Sequence, residues 1–151
     1  MEASTKGTEV FYSYACEDEE FGQELEKHLG ILQKEGMIAH WHNRQILAGT
    51  DYSQAIDPHV TTASLILFLI SSDFMASGYC SSIEMKQALE RHRVGEARVI
   101  PIIVRQASWQ WAPFSTLQVL PRDGKPLKLY TDRDEAFGNV VKDIRRVIKW
   151  L

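Results

Sequence analysis

Along the chain, short apolar runs alternate with stretches in which apolar residues recur every three or four positions. The first run, EVFYSY (9–14), has the length and the aromatic content of a strand. In DEEFGQELEKHLGILQKEG (18–36), Phe21, Leu25, Leu29 and Leu32 fall on one helical face, and Gly36 is a natural stop. MIAHW (37–41) reads as a second strand, followed by a loop around NRQILAGTD and a short helix from Tyr52. SLILFLI (64–70) is apolar at both parities, as expected of a central strand covered on both faces. A helix over 79–92 comes next, then a strand in ARVIPIIV (97–104), a long loop, and a short strand in LKLY (127–130). The last helix carries Phe137, Val140, Val141, Ile144, Val147, Ile148 and Leu151 on one face.

Strands that alternate with helices predict a parallel sheet covered on both sides. Five strands in so short a chain predict the flavodoxin-like order 2-1-3-4-5 in a single α/β domain over residues 1–151. Ligands of such sheets bind beyond the carboxyl ends of the strands. That rule marks Ser13 to Glu17, Trp41 to Gly49, Ser71 to Glu84 and Arg105 to Trp111 as the functional rim.

Composition narrows the function. A net charge of −3 with no basic block beyond Arg145-Arg146 leaves nucleic-acid binding without an electrostatic footprint. The longest apolar run, ASLILFLI, is too short to span a bilayer, and MEASTKGTEV lacks the apolar segment of a signal peptide. Two cysteines, Cys16 and Cys80, make neither a disulfide framework nor a CxxC pair, which fits a reducing, cytoplasmic setting. The chain ends inside an apolar helix at VIKWL, so a domain cut from a longer protein with a C-terminal sensor or assembly module is expected.

Within the rim, Glu84 stands at the border of the apolar stripe of its helix, beside Cys80 and Ala88. Ser81-x-x-Glu84 matches a capping box, and from this pattern alone a structural cap is the better reading. The acids of ACEDEE (15–20) complement the dipole of the helix they begin. A phosphoryl-accepting receiver would want aspartate at the tip of the third strand, but that tip reads Ile70-Ser71-Ser72. His40, His42, Cys16 and Cys80 are four possible zinc donors, yet no pair has the spacing of a zinc site, so no metal is expected. Trp109 and Trp111, near Pro113 and Phe114, read as loop packing. No G-x-x-x-x-G-K-[ST], G-x-G-x-x-G or G-x-S-x-G motif occurs.

Taken in order, several segments resemble the Toll/interleukin receptor (TIR) domain family, above all its bacterial NAD-cleaving members. EVFYSYACEDEEF is similar to the family's first motif, WHNRQILAGTDYSQAID to its second motif and long loop, and LFLISSDFMASGYCSSIEMKQALERHRVGEARVIPIIVR to its third strand, glutamate-bearing helix and fourth strand. The resemblance implies a flavodoxin-like fold and one of two roles. The first is hydrolysis of the nicotinamide–ribose bond of NAD, switched on by TIR self-assembly in defence signalling. The alternative is a non-catalytic scaffold that joins TIR domains. Cleaving members depend on a glutamate in the helix after the third strand, which falls on Glu84. The resemblance also implies substrate contacts at Ser13, Tyr14, Trp41 and Arg44, and loop gating or assembly at Ile46, Leu47 and Gly49. Many members carry tryptophan four residues before the glutamate; here that position is Cys80, and Tyr79 next to it is expected to provide the ring. The second motif often carries aspartate where this chain has Asn43. NAD enters as substrate rather than cofactor, and the expected partners are NAD and other TIR domains, with neither nucleic acid nor membrane.

Overall fold

A computed structural model describes residues 7–47 and 56–151. Among these residues, four parallel strands form one sheet in the order β2-β1-β3-β4: β1 (Thr8–Ala15), β2 (Ile38–Ile46), β3 (Leu65–Ile70) and β4 (Arg98–Ile103). Helices α1 (Glu19–Lys34) and α4 (Arg133–Lys149) lie on one face, packed on Val10, Tyr12, Tyr14, Leu65, Leu67, Leu69, Ile100 and Ile102. The short α2 (Ser72–Ala76) and α3 (Ile83–Arg93) lie on the other, over Phe11, Ala15, Ile66, Phe68, Ile70, Val99 and Ile103. The alternation along β1 and β4 is the pleat dividing one strand between two cores. Every residue of β3 is buried, as its two-sided apolar run predicts. None of the described helices is long and apolar enough to cross a membrane.

Two sequence expectations are corrected here. The segment read as a fifth strand, LKLY, contains a 3-10 turn at Leu127–Leu129. The outer edge of β4 instead receives a single bridge from Leu120, whose N–H donates to Pro101 O at 2.9 Å and whose carbonyl accepts from Ile103 at 2.7 Å. The Lys128 N–H then reaches Val104 O at 3.0 Å. A ladder cannot extend from Leu120: Pro101 offers no N–H on that edge, and Pro121 follows with none of its own. The second correction is the length of β2, which continues through Asn43, Arg44 and Gln45 to Ile46, residues read from sequence as loop. Pairing with β1 in register, Ser13 with Arg44 and Ala15 with Ile46, satisfies the backbone of this polar stretch. The short helix expected from Tyr52 begins outside the described residues, and Pro58–Thr61 forms a 3-10 turn.

Candidate functional site

Strand parity sorts the predicted site residues before any side chain is considered. Glu9, Phe11, Ser13 and Ala15 of β1 pair with His40, His42, Arg44 and Ile46 of β2, and all point to the α3 side of the sheet. Tyr14 and Trp41 have the opposite parity. They pack on the α1 side, where Tyr12 lies between them, with ring centroids 5.4 Å from Tyr14 and 4.6 Å from Trp41. The structure therefore brings Arg44 and Tyr79 to Glu84, sets Ser13 beside Tyr79, and places Tyr14 and Trp41 across the sheet from it.

Glu84 is fully buried, and the serine that caps its helix is not the one the sequence pattern nominates. Ser82 is the N-cap of α3, and its hydroxyl accepts from the Met85 N–H at 3.1 Å. Ser81 belongs to the preceding 3-10 turn and is exposed. Glu84 is thus one residue too early for the capping box, and its carboxylate turns inward. There it accepts the Asp57 N–H at 2.8 Å and the Tyr79 hydroxyl, and it pairs with the Arg44 guanidinium at 2.9 Å. Removing a carboxylate from water costs several kcal/mol, and three donors on two oxygens, one of them charged, offset that cost.

Tyr79 owes its inward placement to Gly78. That glycine has φ 84°, turning the chain sharply between α2 and the 3-10 turn that carries Tyr79. The ring then packs edge-on against Phe68 and Phe74. Burial first, then the Glu84 charge and the bond to it, pushes the Tyr79 hydroxyl well above its ordinary value, with Ser13 and Arg44 acting in the opposite sense. Tyr79 is therefore a protonated donor to Glu84.

A second buried carboxylate lies at the same rim. Asp18, read from sequence as a dipole-complementing acid, makes no side-chain cap bond to α1. It accepts from Arg105 Nε at 2.6 Å and from the Ser71 hydroxyl, and Arg105 also pairs with Asp73. This network ties the ends of β1, β3 and β4 together. The remaining expectations divide. Ile46 is buried in its own core, Leu47 is half exposed, and Gly49 lies outside the described residues. Trp109 packs on the α3-side core as expected, whereas Trp111 is 93% exposed. Cys16 contacts Glu17, and Cys80 contacts Met75. Burial pushes the Cys80 thiol up to about 11 and, with the Glu17 carboxylate, raises that of Cys16, so neither is a ready thiolate.

Sequence reasoning missed the segment that holds Glu84 from above. Asp57 caps the Pro58–Thr61 turn, accepting from the His59 N–H at 2.9 Å, while its own N–H serves Glu84. The buried Arg91 anchors the end of this segment, donating to Val60 O at 3.0 Å and Ala63 O at 2.5 Å, and to Glu96 O at 3.1 Å. A signal for Arg91 was available: positions 84, 88 and 91 form one line along a helix, so an arginine there continues an inward face.

Comparison with known proteins agrees with this architecture. The TIR domain family profile matches residues 10–140. An uncharacterized protein of Sinorhizobium fredii (strain NBRC 101917 / NGR234), y4lF, is 52% identical over 136 residues, 90% of this chain and 42% of that protein. The chain thus spans less than half the length of this relative. The matched region holds all of the sheet but the first two residues of β1, together with Glu84 and all three of its donors, and the chain belongs to the TIR domain family.

Proposed function

We propose that this TIR domain is an NAD glycohydrolase in which Glu84 is the catalytic carboxylate, releasing nicotinamide and leaving ADP-ribose in linear or cyclic form. The observation that carries the reading is a fully buried glutamate on the helix after the central strand that serves no cap. Glu84 is instead surrounded by an arginine, a tyrosine hydroxyl and a backbone N–H, donors whose place a substrate hydroxyl can take while the arginine turns to a phosphate.

The chemistry asks little else of the protein. Nicotinamide is cationic in NAD and departs neutral, so its departure requires no general acid. As the C–N bond lengthens, positive charge develops on the ribose, and a nearby carboxylate stabilises it while accepting a hydrogen bond from a ribose hydroxyl. Arg44 is then freed to meet a phosphate, and Tyr79 and Ser13 line the same side of the sheet.

Because Glu84 has no exposed surface in this arrangement, substrate reaches it only after Arg44 or the Asp57 segment moves. Both flank the stretch 48–55, at the end of β2. Self-assembly through that stretch, with Leu47 exposed beside it, is the proposed trigger, and the isolated domain is expected to be weakly active.

The test is free nicotinamide released from NAD by the domain, dilute and then clustered on a multivalent support. Clustering should raise the specific activity, and Glu84→Gln should abolish it. Gln retains an oxygen for the Asp57 N–H but not the charge, so about 2 kcal/mol of stability is expected to go with it. Circular dichroism confirms that the variant is folded. Intact NAD after clustering, with another TIR domain captured, would replace the hydrolase by the scaffold. A folded Glu84→Gln variant that keeps the parent rate would remove Glu84 from the chemistry.

A further inference from the structure

On the α3-side face of the sheet, beyond the Glu84 site, β1, β2 and the Pro58–Thr61 turn bring together three residues that the sequence keeps 33 and 17 positions apart. These are Glu9, His42 and His59, each offering one donor atom within 4.8 Å of the others. His42 Nε2 is 3.1 Å from Glu9 Oε2, and the rings of His42 and His59 are stacked with centroids 3.5 Å apart. Each residue is partly exposed, so an ion in water has access.

We propose that Glu9, His42 and His59 form a binding site for a divalent cation of the zinc class, with the fourth position left to water or another ligand. Three features of the cluster select this chemistry. Two imidazoles and a carboxylate are the N/O donor set that zinc takes in three-ligand sites. Donors bound at about 2.0–2.1 Å in a tetrahedron lie ~3.3 Å apart, so the Glu9–His42 pair is already at bonding separation. His59, on a 3-10 turn and with its side chain 42% exposed, has to close in and turn out of its stack on His42 so that both lone pairs meet at the ion.

The third feature is the outer layer. Asp57 Oδ1 is 2.8 Å from His59 Nδ1, the contact that fixes the tautomer with its lone pair on Nε2. The Thr62 hydroxyl donates to Glu9 Oε2 at 2.9 Å, orienting that carboxylate. Carboxylate–histidine pairs of this kind accompany bound zinc because they hold the ring and raise its basicity. A second cluster, Glu24, His28 and Asp134, lacks this support. Its Glu24 is already neutralised by Arg133 at 2.5 Å, and Asp134 is exposed.

The proposed site differs from the donor set weighed from sequence. Cys16 and Cys80 are absent from it, and His40, although on the same face as His42 with rings 6.4 Å apart, is outside it. An ion here would staple the 57–61 segment to the sheet. Asp57 would then join two sites, its side chain supporting His59 and its N–H serving Glu84.

The test is calorimetric titration of tag-free, chelator-treated protein with Zn2+, with Co2+ as a spectroscopic substitute. One ion per chain should bind, the melting temperature should rise with excess Zn2+, and the Co2+ complex should show no thiolate charge-transfer band. His42→Gln and His59→Gln should each weaken binding at least 100-fold. Asp57→Asn, which keeps the turn's cap, should weaken it ~10-fold, and His40→Gln should leave it unchanged. No saturable binding by the folded parent, a thiolate band, or undiminished binding by a His42→Gln/His59→Gln double variant would each overturn the assignment.

Discussion

Glu84 and Asp18 present the same external measure: both side chains are 0% exposed, and each pairs with an arginine that is 22% exposed. What surrounds them differs. Asp18 is held by groups with a second structural duty. Arg105 spans Asp18 and Asp73, and Ser71, which donates to Asp18, also caps α2 by accepting from Phe74 N–H at 3.0 Å. The Asp18 bond comes first among the causes that raise the pKa of Arg105. Glu84 is held by an edge strand, a turn and a tyrosine hydroxyl, each entering from a different part of the chain. Asp18 knits three strand ends together, whereas Glu84 joins the edge strand β2 to the Asp57 turn. Burial alone does not distinguish a structural acid from a reacting one.

The largest effect expected from this contrast is in the two arginines. Arg105→Met strands two carboxylates, one fully buried, and should cost about 3–5 kcal/mol in denaturant unfolding. Arg44→Met leaves Glu84 with the Asp57 N–H and the Tyr79 hydroxyl, and should cost about 2 kcal/mol. Equal losses would erase the distinction between the two sites.

A smaller effect separates Glu84 from its cap. Ser82→Ala should remove about 1 kcal/mol, whereas Ser81→Ala should fall within about 0.5 kcal/mol of the parent. The reverse order in thermal melts would return Glu84 to a capping box and weaken the case for chemistry.

The smallest effect is at the far end of α3. There His92 Nδ1 accepts the Val99 N–H at 2.9 Å, tying Glu84's helix to β4. Burial first, and then Arg98, lowers the His92 pKa below 6.5. The unfolded chain takes up this proton at higher pH than the folded one, so the contribution is complete above about 6.5 and is lost as pH falls through the folded value. The protection factor of the Val99 amide should therefore fall below about pH 6.5, while the amides around Asp18 keep theirs. Uniform loosening of both regions would show that the Glu84 side is no more separable than the Asp18 side.

Much of this protein was legible in its sequence because local rules govern it. A parity of two predicts strands, apolar residues every three or four positions predict helices, and βα alternation implies parallel order with a functional rim at the strand ends. Those rules placed β1, β3, β4, α1 and α4, and put Glu84 on the rim. They failed where a backbone group or a charge is satisfied from a distance. Asn43 to Gln45 look like loop until β1 supplies the ladder. Leu127 to Leu129 look like strand until Pro101 and Pro121 deprive the edge of donors. Ser81 fits the capping pattern as well as Ser82 fits a simple cap, and only the turn set by Gly78 decides between them.

The sites divide in the same way. The sequence by itself determined that a glutamate would stand near the apolar border of the helix after the central strand. Only the tertiary structure decided that it is enclosed by Arg44, Tyr79 and the Asp57 N–H, with Tyr14 and Trp41 on the opposite face. The gathering of Glu9, His42 and His59 was decided there too. Periodicity reports which way a side chain points from its own element. Which residue comes to meet it depends on strand register and loop closure, quantities that exist only once the chain has folded.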